Sequence, residues 1–394
     1  MKQKRNRRGS GQIEKRGDAF RLRFTVDGRR HAVTFNGTLQ QARAELRRLT
    51  HAPDIGEHVA PSKLKLGDFV ESRIAQWEQS SDITGRTAQR YRELLANQIR
   101  PHLGDKLLQK LTSLDIEGWH NLLRTSGRAD GKGGLAPRTC GHAHRVLSKA
   151  LFDAAKHKLV LKNVVEGDSA PGPDEDEEEQ VIVKDIPAFI EKLRGHNKLF
   201  VPAMIAIFTG MRLGEILALR WGRINPEQKM SRIDLEQKMI QVRQAIEETT
   251  GANGAIQLKA PKSKAGNRVI TMPDALVDIL KTFRREQQEL RFKLGGGKLA
   301  DDALLFAGID GQLPSQKRAS KAWSDFSDQI GMPQIKFHSL RHTHASWLIA
   351  RKVDIVTISK RLGHAKPDIT LRIYSHMFSK DDSEASVAIN AALK

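Results

Sequence analysis

Residues 169–179, SAPGPDEDEEE, constrain the fold most, because no single core can run through them. Proline and glycine oppose regular structure there, and the run of acids repels itself, so 169–180 is expected to be an exposed linker. With 394 residues in all, each side retains enough chain for domains with cores of their own. The acidity of the linker would also repel any polyanion.

Upstream of it the hydrophobic period changes once. Phe20, Leu22, Phe24 and Val26 alternate with Arg21, Arg23 and Thr25, the pattern of a strand with one apolar and one basic face. A turn at Asp27 and Gly28 leads to a second strand through Val33 and Phe35. Thr38 is placed to cap a helix in which Leu39, Ala42, Leu46 and Leu49 recur at helical spacing. Residues 1–58 should therefore form a small β-sheet plus helix that opens with the basic arm MKQKRNRRGSG.

Residues 62–168 read as a helical bundle. Leu66, Phe69, Val70, Ile74 and Trp77 mark one helix, and Tyr91, Leu94, Leu95 and Ile99 a second that should stop before Pro101. Two more follow, at about Leu114 to Leu123 and Thr139 to Lys158. Arg86, Arg90, Arg138, Arg145 and Lys149 give these helices faces able to track a phosphate backbone, although solvated surface explains each of them singly. Residues 181–394 read as a mainly α (α+β) domain, so the chain is multidomain.

A net charge of +20 implies a polyanionic partner, because phosphate contacts release condensed counterions. Nucleic acid fits better than a membrane surface. No apolar run approaches the roughly 20 residues needed to span a bilayer, and the basic start is not followed by an apolar segment, so the expected location is the cytoplasm. The single cysteine, Cys140, excludes an intramolecular disulfide.

The chemistry is concentrated between Phe337 and His376. His338 and Arg341, three apart, share the face of a first helical turn. Leu362, Gly363 and His364 follow, then Tyr374, Ser375 and His376, while Ala345, Trp347, Leu348, Ile349, Ile355, Ile358 and Leu362 supply apolar spacing for two packed helices. Arginine offers a planar fork for two phosphate oxygens, histidine adds a donor, and a tyrosine hydroxyl can attack phosphorus. His338 and His342 are four apart, as in a zinc-binding helix, but a zinc site needs further ligands. No metal is expected.

The HxLRH, LGH and Y-S-H elements, in this order, resemble the catalytic end of the tyrosine recombinase (phage integrase) family. That resemblance implies that Tyr374 is the nucleophile and that His338, Arg341 and His364 surround the scissile phosphate. The string TGMRLGE, Thr209 to Glu215, matches the family's first arginine motif, which makes Arg212 the second phosphate clamp and Glu215 its support. Arg212 and Glu215 are also spaced for a plain helical ion pair. Between Ile256 and Met272, two β-like runs flank PKSKAGN and suggest a hairpin with lysines at its tip. In the family a lysine there protonates the leaving sugar oxygen, which points to Lys262, with Lys264 the competing register.

By the same resemblance the N-terminal module is an arm-site DNA-binding domain with Arg21 and Arg23 toward DNA, and the bundle is a core-binding domain clamping the duplex opposite the catalytic domain. The implied partners are double-stranded attachment sites, further copies of the chain in a tetramer, and DNA-bending and directionality proteins. The tail residues Val387, Ile389, Ala391, Ala392 and Leu393 are expected to pack on a neighbouring copy. Each step exchanges one phosphate ester for another, so no cofactor is required. A type IB topoisomerase-like enzyme shares the chemistry but reseals the original strand. A non-catalytic DNA-binding regulator needs only charge and helices, and leaves the co-occurrence of Arg212, His338, Arg341, His364 and Tyr374 unexplained.

Overall fold

The computed structural model describes residues 11–26, 29–51, 59, 61–166, 181–225, 227–249, 255–261, 263–308, 311–377 and 383–392. The chain forms two compact units, Met1–Asp176 and Glu177–Lys394. The basic arm before residue 11, the Asp27–Gly28 turn, the linker 169–180, Lys262 and Leu393 lie outside the described residues.

In the first unit, β1 (Gln12–Arg16), β2 (Ala19–Val26) and β3 (Arg29–Asn36) make an antiparallel sheet in chain order, backed by α1 (Leu39–His51). The alternation in β2 turns Phe20, Leu22 and Phe24 into a core with Ala42 and Leu46. The expected cap forms at both ends of its box: the Gln41 amide donates to the Thr38 hydroxyl, and the Thr38 amide donates to the Gln41 side chain. β1 was not foreseen, because its mostly polar residues carry no hydrophobic alternation. Leu39 was expected on the buried stripe but is exposed.

The bundle comprises α2 (Leu66–Gln79), α3 (Gly85–Leu94), α4 (Arg100–Leu103), α5 (Ser113–Ser126) and α6 (Pro137–Lys156). Its core gathers Leu66, Ile74, Leu95, Ile99, Ile116 and Leu147. One expectation fails here, since the second helix does not stop before Pro101. A π-helical segment, Leu95–Ile99, joins α3 to α4, and Pro101 sits in the first turn of α4, where a missing N–H is tolerated. Asp153 ties α6 to α2 by accepting from Arg73 Nε (2.9 Å) and Trp77 Nε1 (2.8 Å).

The second unit opens with α7 (Ile186–Leu193), α8 (Asn197–Thr209) and α9 (Leu213–Leu217). A sheet follows in the order β4 (Arg220–Trp221), β5 (Arg232–Asp234), β6 (Met239–Val242), β9 (Arg268–Thr271), alongside a hairpin of β7 (Ala245–Glu248) and β8 (Ile256–Lys259). The expected hairpin around PKSKAGN is therefore corrected: β8 pairs with β7 and β9 pairs with β6, so the lysine stretch connects two sheets. The unit closes with α10 (Asp274–Lys293), α11 (Gln316–Gln329), α12 (Phe337–Ala350), α13 (Ile355–Leu362), α14 (Pro367–Tyr374) and α15 (Ser383–Ala392). The main core surrounds Trp221, Trp323, Phe189 and Phe326, and a second cluster, Ala345, Ile349, Ile358 and Leu362, encloses the Tyr374 ring. Fully burying each large apolar side chain contributes about 1.5–3 kcal/mol, so this packing fixes the bearing of α14.

Candidate active site

Gly210 ends α8 in the left-handed conformation, with φ of +67°. A Cβ there would stand 2.7 Å from both His344 Cδ2 and Leu362 Cδ2, so only glycine lets α12 and α13 close on this corner. The Gly210 carbonyl accepts from Arg341 Nη1 at 2.6 Å. Arg341 is 3 % exposed, and its Nη2 is buried with no hydrogen-bond partner among the described residues. Burial, then the neighbouring Arg212 charge, pulls Arg341 down to about 9. A buried cation with an open donor can offer a charge-assisted hydrogen bond to an anion.

Arg212 is the N-cap of α9, and the ion pair that its spacing from Glu215 suggested forms. Its amide and its Nη1 both donate to Glu215, each at 3.0 Å. Glu215 also takes a bidentate pair from Arg268 Nη1 (3.2 Å) and Nη2 (2.8 Å). Burial pushes the Glu215 carboxyl upward, but Arg268 and Arg212 outweigh it and hold it at about 2. Arg268 Nε in turn donates to the Arg361 carbonyl at 2.8 Å, joining β9 to the end of α13. Gly363 follows at φ +71°, where a Cβ would meet Arg268 Nη1 at 2.8 Å.

His364 is fixed through Nδ1, 2.7 Å from the buried Thr370 hydroxyl. Burial, then Arg341, Arg212 and Arg268, lower it to about 4. His338 is exposed at the mouth of the site. Partial desolvation, with Arg341 and Arg212, lowers its pKa as well. Tyr374 is 1 % exposed, and its hydroxyl lies 2.8 Å from His342 Nδ1. Burial raises the phenol well above its ordinary value, and Arg341 partly opposes that.

Tyr374, Arg341, Arg212, Glu215, His338 and His364 thus belong to one electrostatically coupled cluster. Lys262 lies outside the described residues, and Lys264 is exposed in a 3-10 turn. The residues missed from sequence are Arg268, His342 and Thr370. Arg268 had a visible signal, since alternation in β9 turns it inward with Ile270, and a charge at an inward register needs a partner.

In the first unit, Arg23 is exposed and pairs with Glu14 at 3.2 Å, while Arg21 is half-buried. Arg86, Arg138 and Arg145 are exposed. Burial lowers the pKa of His142, and so do Arg145, Arg90 and Arg138, which marks one positive patch on α3 and α6. Lys149 differs, lying 4.3 Å over the Trp77 ring.

A buried tyrosine hydroxyl bonded to His342 and in the field of Arg341 has the groups that phosphoryl transfer to a side-chain oxygen would need. Residues 176–381, just over half of the chain, match the phage integrase family, and residues 70–124 match the phage integrase N-terminal SAM-like domain. A XerC-like tyrosine recombinase of Caldanaerobacter subterraneus subsp. tengcongensis is 29 % identical over 288 residues, 71 % of each chain. The ICEBs1 integrase of Bacillus subtilis is 26 % identical over 301 residues, 73 % of each. Among solved structures, the Tn1549 transposon integrase in complex with transposon right end DNA superposes with a TM-score of 0.66 at 17 % identity, over 83 % of this chain and 100 % of that one. The chain belongs to the phage integrase family and is a tyrosine-type site-specific DNA recombinase.

Proposed function

We propose that Tyr374 cuts one strand of a double-stranded attachment site, forming a phosphotyrosine bond and a free 5′-hydroxyl, and that the hydroxyl of a partner duplex then displaces the tyrosine. Arg341 and Arg212 clamp the non-bridging oxygens, His338 and His364 donate to them, and Glu215 holds Arg212. Lys262 is the candidate acid for the leaving sugar oxygen. The observation that carries this reading is the buried, unpartnered Nη2 of Arg341 in a cluster with the Tyr374 hydroxyl. An ordinary phenol has a pKa of about 10, so the site must assist the attack.

Residues 1–58 act as an arm-site module through Arg21 and Arg23, and 62–168 as a core-binding clamp through Arg86, Arg138 and Arg145. Lys149, stacked on Trp77, contributes through its remaining exposed surface. The assembly on DNA is a tetramer. A solved lambda integrase tetramer bound to a Holliday junction, with a TM-score of 0.52, supports that arrangement for the fold. The tail helix α15, with Ile389 exposed, is the segment offered to a neighbouring copy, and DNA-bending and directionality proteins are its companions. No helix among the described residues is long and apolar enough to cross a membrane, in keeping with action on cytoplasmic DNA.

A nicked suicide duplex tests the reading. Wild type should become covalently attached and should join two duplexes through a junction. Relaxation without junctions would instead mark a topoisomerase, and reversible binding without attachment a regulator.

A further inference from the structure

A nucleophile sealed from solvent must give its proton to the protein. Tyr374 is 1 % exposed, and a buried phenol needs an acceptor. The contact the structure provides is His342 Nδ1 at 2.8 Å, with the two rings 5.9 Å apart between centroids. In the tautomer that carries its proton on Nε2, His342 Nδ1 accepts the proton of the phenol. His338, the other imidazole on this face of α12, instead packs edge-on against His342 with centroids 4.9 Å apart.

We infer that His342 is the general base of the reaction, taking the Tyr374 proton as the phenolic oxygen bonds to phosphorus. The inference rests on Tyr374 being the nucleophile. In the forward step the O–H bond breaks and Nδ1–H forms, while the new O–P bond forms and the bond to the 5′ oxygen breaks. The 5′ oxygen leaves with a proton from the acid of the site. In rejoining, the His342 imidazolium returns its proton to the departing phenolate, so one residue serves both directions.

The surroundings suit this role. The titratable groups around His342 are His338 and Arg341 on its own helix, His364 between α13 and α14, and Tyr374 on α14. Burial, then His338 and Arg341, hold His342 at about 4, so it is neutral and able to accept at pH 7. A phosphate bound by the two arginines offsets their positive charge and favours the imidazolium when it forms.

The test is single-turnover attachment to a nicked suicide duplex by the full chain, comparing wild type, His342→Asn, His342→Ala and Tyr374→Phe. Asparagine sets a polar atom near the Nδ1 position and preserves a hydrogen bond, but it cannot take the proton. Attachment should slow by about 10² to 10⁴ in both His342 variants, with duplex binding and thermal melting retained. Their rates should climb with pH, and imidazole should restore part of the His342→Ala rate. Attachment by His342→Asn at the wild-type rate and with the wild-type pH profile would overturn the inference. If Tyr374→Phe still becomes attached, the underlying reading fails instead. A silent Tyr374→Phe beside a fast His342→Asn removes only the general base.

Discussion

Arg268 and Arg341 are two buried arginines in the same unit, and they use their guanidinium groups in opposite ways. Every nitrogen of Arg268 donates to protein: Nε to the Arg361 carbonyl, and Nη1 and Nη2 to Glu215. Arg341 donates Nη1 to the Gly210 carbonyl and leaves Nη2 buried and without a partner among the described residues. Burial therefore does not by itself make an arginine structural. A closed set of partners marks a brace, whereas an open donor marks a binding group.

The contrast can be broken most sharply by removing each cation in turn. Arg268→Met strips the buried Glu215 carboxylate of its bidentate partner and should destabilise the unit by about 3–5 kcal/mol in chemical denaturation. Adding Glu215→Leu should recover part of that loss, because no buried charge then remains unmatched. Arg341→Met should do the reverse. Strand attachment should fall by roughly 10² to 10³, while the melting temperature without DNA stays at or above wild type, because the idle buried charge is gone. Equal melting losses in the two variants would erase the distinction.

A subtler effect comes from His344, which is also braced on both sides. Its Nδ1–H donates to the Ile207 carbonyl at 2.8 Å, and its Nε2 accepts from Arg361 at 3.1 Å. Burial, then Arg361, lower it to about 3, below its ordinary value of 6.5. Between those values the unfolded chain binds the proton and the folded chain does not, so stability is complete above pH 6.5 and declines as pH falls toward 3. Denaturation at pH 7 and pH 5 should show the decline, and His344→Gln should flatten it. The smallest expected change lies in the other unit: Arg138→Ala or Arg145→Ala should each reduce the slope of log affinity against log salt by about 1, with little sequence dependence.

Much of this organisation was legible in the chain. The β2 alternation, the Thr38 cap and the helices carrying Trp77 and Leu147 follow from local periodicity, and local periodicity survives folding. The strings that carry Arg212, His338, Arg341, His364 and Tyr374 could be read directly from the chain. What stayed hidden depends on distant partners. Nothing near PKSKAGN says that β9 will choose β6 over β8, and the Leu95–Ile99 π-segment is a compromise between Pro101 and the bundle core. His342 was visible as a histidine, but its pairing with Tyr374 requires α14 to fold back onto α12.

On the proposed mechanism, the hydroxyl enclosed by α12, α13 and α14 becomes bonded to DNA. The direct measurement is to trap the attached species on a nicked duplex, digest it, and locate the nucleotide-bearing peptide by mass spectrometry. A phosphodiester on Tyr374 alone is expected, with no attached species from Tyr374→Phe. DNA carried by another side chain, or attachment that survives the phenylalanine variant, would contradict it.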